Sequence, residues 1–264
     1  MSNDRRLLWA LSCGSFAALG AACTASAPAV DREAPPPAAT EATPVVTLPA
    51  PAPREERLEA AATATPKASP LRAPASMGPA NAKASAPAVF TVAFETSKGL
   101  FSARCHKAWA PKAADRLFNL VELGYFDDTI FFRVITKPSP FVVQWGIHGS
   151  PIVNEAWEDA KLEPDPVTQT NRRGTLTFAM GGDPKTFTTQ VFINLGDNGR
   201  LDAMGFAPVC EITAGMQVVD SFFAGHDGAP SQAQQRIQKE GNTFLRSAFP
   251  GLDFVKRARV AAGP

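Results

Sequence analysis

The groups best placed to do chemistry in this chain are one guanidinium and two amides set into apolar strands. In Ile130-Phe131-Phe132-Arg133-Val134-Ile135, Arg133 is the single charge of an apolar run. In Phe141-Val142-Val143-Gln144, Gln144 follows Val142 by two residues and so shares its face. Gln190-Val191-Phe192 again sets an amide and a ring on one face. Such groups hold a reacting centre by hydrogen bonds beside an apolar wall; they supply no nucleophile and no general base. Read singly, each has an ordinary meaning, since an edge-strand arginine snorkels and a strand glutamine is usually solvated. The rest of the chain offers no rival chemistry. His106, His148 and His226 lack metal-ligand spacing, and His106 reads as a surface or hairpin residue. There is no Gly-x-Ser-x-Gly elbow, phosphate-binding glycine loop or C-x-x-C pair. No metal and no cofactor is expected.

The elements that must position these groups read as an all-β domain. Phe90, Val92 and Phe94 alternate with polar or small residues, then Ser97-Lys98-Gly99 turns the chain, and Phe101, Ala103 and Cys105 alternate again. That is a hairpin. A helix opens at Pro111 and closes at Gly124, with Ala114, Leu117, Phe118 and Val121 on one face. Short strands are predicted over Ile130–Ile135, Phe141–Trp145, Thr175–Met180, Gln190–Leu195 and Pro208–Ile212. A second helix spans Ala214–Phe223, with Met216, Val219 and Phe223 inward. Ser231 and Gln234 form a capping-box signature for a third, which Gly241 interrupts. A last strand near Asp253–Val260 is expected to pair beside the first hairpin. Eight strands predict a closed antiparallel barrel, which leaves no exposed edge.

Of the 264 residues, only 88–264 read as folded. From Thr24 to Pro87 there is no Phe, Trp or Tyr, and alanine and proline dominate. Such a segment buries too little apolar surface to offset an ordering entropy of about 1–2 kcal/mol per residue. Residues 23–87 are therefore predicted to be a disordered tether. The first 22 residues read as a signal peptide, with Arg5 and Arg6 before Leu7-Leu8-Trp9-Ala10-Leu11 and small residues to Ala22. Leu19-Gly20-Ala21-Ala22-Cys23 resembles a bacterial lipobox with Cys23 lipidated as the mature N-terminus, and Ala25-Ser26-Ala27 is the competing cleavage site. The chain is thus expected in the periplasm or cell envelope, held to a membrane by its lipid. A net charge of +1 with no basic run excludes nucleic acid as an expected partner. A monomer is expected. Cys105 and Cys210 are the only cysteines in the folded part; in an oxidising compartment they form either a disulfide or two separate buried thiols.

Together, in order and spacing, the segments resemble the cyclophilin family of peptidyl-prolyl cis/trans isomerases. The resemblance rests on Phe131-Phe132-Arg133-Val134, Phe141-Val142-Val143-Gln144-Trp145-Gly146, Ala179-Met180-Gly181, Thr189-Gln190-Val191-Phe192-Ile193 and Arg200-Leu201-Asp202. It implies an eight-stranded barrel capped by two helices. It also implies that Arg133 is the catalytic donor and that Phe141, Val142, Phe192 and Leu201 wall the proline pocket. Gln144 would orient the arginine and bind substrate backbone, with Gln190 as its polar neighbour, and Ala179, Met180 and Gly181 would pair with the substrate backbone. Arg200 stands where the family has tryptophan, and Phe206 aligns with a histidine common at the pocket rim. The substrates implied are proline-containing peptides and unfolded exported proteins, and no nucleophile or metal is needed. The barrier, about 18–20 kcal/mol, is the partial double bond of the imide. A proline-peptide clamp or chaperone with little turnover is the alternative.

Overall fold

The computed structural model describes residues 74–182 and 185–261. The expected signal peptide, Cys23 and the tether as far as residue 73 lie outside the described residues. Strands β1 (Val89–Thr96) and β2 (Gly99–His106) form the predicted hairpin, paired from Val89↔His106 to Thr96↔Gly99. Phe90, Val92, Phe94, Phe101, Ala103 and Cys105 are all buried, as their alternation requires. Helix α1 (Pro111–Glu122) buries Ala114, Leu117 and Val121, while Phe118 is partly buried and meets Phe90 edge-on at 5.4 Å. The distant Asp165 carboxylate caps it, accepting from the backbone N–H groups of Lys112 and Ala113 at 3.1 and 2.9 Å.

Six more strands follow: β3 (Arg133–Val134), β4 (Val142–Trp145), β5 (Thr175–Phe178), β6 (Val191–Asn194), β7 (Pro208–Ala214) and β8 (Val255–Val260). All eight pair antiparallel in one curled sheet, in the order β3-β4-β6-β5-β7-β2-β1-β8. Closure by regular pairing, the sequence expectation, does not occur. Strands β3 and β8 are the two ends of the ladder, linked near their starts by an Ile130↔Phe254 bridge and hydrogen bonds such as Phe131 N–H to the Asp253 carbonyl, 2.9 Å. The physical reason lies in the run 130–135, which does not act as one strand. Ile130 and Phe132 instead join a second apolar cluster with Ile147, Ile237, Phe244 and Leu245. Only Arg133 and Val134 remain to pair with β4, too short an edge to carry a ladder across.

Strands β4, β5 and β6 are buried on both faces. Val143, Trp145, Leu176, Phe178, Val191 and Ile193 enter the main core. That core is aromatic: Phe94 stacks on Phe101 at 4.8 Å and Phe131 on Phe222 at 4.2 Å. The opposite face carries the polar groups of the site.

The described residues contain four α-helices, against three read from the sequence and two implied by the resemblance. Besides α1 they are α2 (Pro151–Trp157), α3 (Met216–Asp220) and α4 (Gln234–Ala248). Helix α2 is too short to show a period in sequence, and so was not expected. Helix α3 is shorter than Ala214–Phe223, and its exit turns Phe222 into the core while Phe223 stays 39% exposed. Gly241 does interrupt α4. Its φ of +62° is open to glycine, and a side chain there would collide with the Gly149 carbonyl.

The tether expectation is corrected at its C-terminal end. Residues 74–87 are docked, with Met77 buried and 3-10 turns at Pro74–Met77 and Pro79–Asn81. Their backbone is satisfied by side chains of the domain. Trp157 Nε1 donates to the Met77 carbonyl at 2.7 Å, and Asn119 bonds both Ala84 N–H and C=O at 2.9 and 2.7 Å. Asp115 accepts from Ala86 N–H at 2.7 Å. Composition alone misses such partners, because they lie far along the chain.

Cys105 and Cys210 are direct partners across β2 and β7, and they are bonded, resolving the two sequence alternatives in favour of the disulfide. The bond closes a loop over a sequence separation of 105. Replacing both cysteines by alanine is expected to lower the unfolding free energy by about 2–4 kcal/mol. Urea unfolding of the two forms measures this; equal midpoints, or free-thiol labelling of Cys105 and Cys210 in the unreduced denatured chain, would reject it.

Candidate active site

Arg133, Gln144, Phe192 and Thr177 lie in one row across β3, β4, β6 and β5, through the pairs Arg133↔Gln144, Gln144↔Phe192 and Thr177↔Phe192. Because side chains alternate along a strand, Val142 and Asn194 share that face. The row is therefore a product of register, set by strands whose other face is locked into the core.

Within it Arg133 Nη1 donates to Gln144 Oε1 at 3.1 Å, and Gln144 Nε2 donates to Gln190 Oε1 at 2.9 Å. Gln144 is only 6% exposed. Burial lowers the pKa of Arg133 from its ordinary value, and a guanidinium keeps its charge in proteins. Its Nε is buried with no acceptor among the described residues. A cationic donor so held is preorganised and still has hydrogen-bonding capacity to offer.

Beside the arginine stands an apolar wall. Val142, Phe192 and Leu201 are buried together, with Phe141, Ala179, Met204 and Phe206 packed against them. Phe206 meets Phe192 edge-on at 5.8 Å. The guanidiniums of Arg133 and Arg200 both lie over the Phe141 ring, 5.4 and 4.7 Å from its centroid. Arg200 therefore covers the ring with a planar cation rather than leaving the position of the missing tryptophan bare.

Of the expected backbone-pairing residues, Gly181 has its polar groups engaged elsewhere. The Met180 side chain packs against the main core. Gly181 uses its N–H and C=O within its own turn, exchanging hydrogen bonds with Thr186 at 3.2 and 3.4 Å. Ala179 stays at the wall, with its N–H donating to the Gln190 carbonyl at 2.9 Å. A strand-like approach of substrate along 179–181 is thus blocked at Gly181, because a turn has taken its polar groups.

Sequence reading missed the polar framework behind the wall. Asn171, fully buried, donates through Nδ2 to Asp202 Oδ1 at 2.7 Å and to the Phe206 carbonyl at 2.8 Å. Its Oδ1 accepts from Thr177 Oγ1 at 2.9 Å and Asn194 Nδ2 at 3.2 Å. Asn198 Nδ2 then donates to Asn194 Oδ1 and to the Phe141 carbonyl, at 2.8 and 2.9 Å. These amides tie Leu201, Phe206 and Phe141 to the sheet. Gln190 is anchored from below, where Thr189 Oγ1 donates to the Gly146 carbonyl at 2.8 Å beside the buried Tyr125 hydroxyl. Burial raises the pKa of Tyr125, so it remains a neutral phenol. No single-sequence signal distinguishes these residues from ordinary loop asparagines.

The model of the family described as cyclophilin type peptidyl-prolyl cis-trans isomerase matches residues 91–241. A peptidyl-prolyl cis-trans isomerase of Streptomyces antibioticus is 32% identical over 165 residues, covering 54% of this chain and 92% of that protein. Peptidyl-prolyl cis-trans isomerase B of Escherichia coli is 30% identical over 165 residues, covering 56% and 93%. A solved cyclophilin-type isomerase of Cryptosporidium parvum aligns at 17% identity and a TM-score of 0.49, over 67% of this chain and 99% of that one. The chain belongs to the cyclophilin-type peptidyl-prolyl cis-trans isomerase family and is an isomerase of that type.

Proposed function

We propose that the domain catalyses proline isomerisation through Arg133, on exported proteins folding in the cell envelope. The observation that carries the site assignment is the half-buried guanidinium, fixed by Gln144 and with an unpartnered Nε beside an apolar wall. Rotation about the imide bond removes its resonance and leaves the lone pair localised on nitrogen. That nitrogen becomes an acceptor only near the transition state, where the arginine donates to it. A contact made only there lowers the barrier without tightening ground-state binding. Val142, Phe192, Leu201 and Phe206 hold the proline ring and keep water from competing for the donor. Gln144 fixes the arginine and offers its remaining valence to substrate backbone. Uncatalysed X-Pro isomerisation takes tens of seconds, slow enough to limit the folding of client chains.

The envelope location is supported by the N-terminal residues: Arg5-Arg6, the apolar stretch from Leu7, and Cys23 after Ala21-Ala22. Lipidation at Cys23 would tether the domain to a membrane through the Pro/Ala-rich segment. The full chain is expected to sediment with membranes in an exporting bacterial host, and Cys23→Ser to move into the soluble periplasmic fraction. A mature wild-type chain that begins at Pro28 by mass spectrometry would instead establish cleavage after Ala27.

A further inference from the structure

The capping box expected from Ser231 and Gln234 does not form. Ser231 Oγ donates to the Gly228 carbonyl at 2.6 Å. Gln234, the first residue of α4, turns instead to the site, where its Oε1 accepts from Gln190 Nε2 at 3.1 Å. The result is a continuous series, Arg133 to Gln144 to Gln190 to Gln234, at 3.1, 2.9 and 3.1 Å. Every amide in it turns its oxygen toward the arginine and its N–H₂ away. We propose that Gln234 is a positioning residue for isomerisation, supplying the terminal acceptor that keeps this relay polarised so that Gln144 presents oxygen to Arg133. The inference rests on Arg133 being the catalytic donor.

The two ends of a primary amide have the same shape and opposite hydrogen-bonding character. Gln144 and Gln190 can therefore reverse by rotating their terminal torsions, with little steric penalty. Reversal would aim the Gln144 N–H₂ at the guanidinium, donor against donor, and Arg133 would lose its only side-chain acceptor among the described residues. Arg133 favours the observed polarity from one end. At the other end the series terminates in an N–H₂ on the partly buried Gln190, for which Gln234 supplies the side-chain acceptor. Helix α4 holds that oxygen in place, because Ile237, Phe244 and Leu245 are packed into the second cluster with Phe132, next to Arg133.

Three substitutions separate polarity from shape. Gln234→Glu offers only acceptors, Gln234→Met offers nothing, and Gln234→Lys offers only donors. The full chain and these variants would be compared in cis/trans exchange of an Ala-Pro peptide, beside Arg133→Ala. The expected order in kcat is wild type and Glu together, then Met about three- to tenfold lower, the equivalent of one neutral hydrogen bond, with Lys lowest. The loss should fall mainly on kcat, with KM rising no more than a few-fold, because Gln234 bonds Gln190 and acts on Arg133 only through the relay. The side-chain amide resonances of Gln144 should shift in Gln234→Lys and stay near wild type in Gln234→Glu. Equal activity of the Glu, Met and Lys forms, or a change confined to KM, overturns the positioning role. If Arg133→Ala matches wild type, the catalytic assignment is what has failed, and the Gln144 resonances still decide whether Gln234 polarises the relay.

Discussion

Arg133→Ala is expected to lower the rate of catalysed cis/trans exchange by about 10²–10³-fold, equivalent to about 2.7–4 kcal/mol, the range for loss of one preorganised donor. Peptide affinity should hardly change. The reason is that the ground-state imide nitrogen is a poor acceptor, its lone pair being delocalised into the carbonyl. Only the twisted state meets the guanidinium productively, so the loss falls on kcat rather than on binding. Phe192→Ala makes the contrast. Phe192 is buried among Val142, Leu201 and Phe206, and its removal opens the apolar wall, weakening peptide binding and turnover together. Exchange of an Ala-Pro peptide followed by NMR, with peptide titrations on the same samples, measures both. A wild-type chain that binds the peptide without accelerating exchange would mark a clamp instead of a useful catalyst. An Arg133→Ala form as active as wild type would move the donor elsewhere.

What was legible in the sequence depended on whether a residue's partner was local or distant. The β1–β2 hairpin could be read because one face is buried, so Phe90, Val92 and Phe94 alternate with less buried neighbours. Strands β4, β5 and β6 are buried on both faces and show no alternation; they are legible only as short apolar runs set between turn signals. Arg133 and Gln144 stand out as polar groups in apolar runs and Phe192 by sharing a face with Gln190, whereas Leu201 is marked only by the family resemblance. Gln234 was misread for the complementary reason. Its local pattern, three residues after a serine, favours a cap, whereas its actual partner Gln190 lies 44 positions away. Met180 and Gly181 were assigned to substrate by motif position, but a nearby turn claims the Gly181 backbone. Residues 74–87 lack aromatics and still fold, because Asn119, Asp115 and Trp157 supply the hydrogen bonds that the segment cannot make for itself.

The same distinction makes Asn171 the residue whose loss should destabilise the domain most among the polar groups behind the site. Asn171→Leu conserves volume but removes four side-chain hydrogen bonds in a position with no solvent access. Asn194 retains Thr175 Oγ1 at 2.9 Å, so it is only partly stranded. Asp202 keeps the backbone N–H of residue 171 at 2.9 Å but faces a leucine with its other valences. The Thr177 hydroxyl and the Phe206 carbonyl lose the acceptor and donor described for them. Buried groups left unpaired cost about 1–3 kcal/mol each, and because some are compensated the expected total is about 3–5 kcal/mol. Function should change in a characteristic way. Asp202 and Phe206 follow Leu201 in the loop that forms one side of the wall, so loosening it should raise KM, while the Arg133–Gln144 pair on β3 and β4 keeps kcat within a few-fold. Urea unfolding and peptide-exchange kinetics on one preparation supply both numbers. A loss of less than about 1 kcal/mol would mean that the loop holds its place by apolar packing alone, since one ordinary neutral hydrogen bond already accounts for that much.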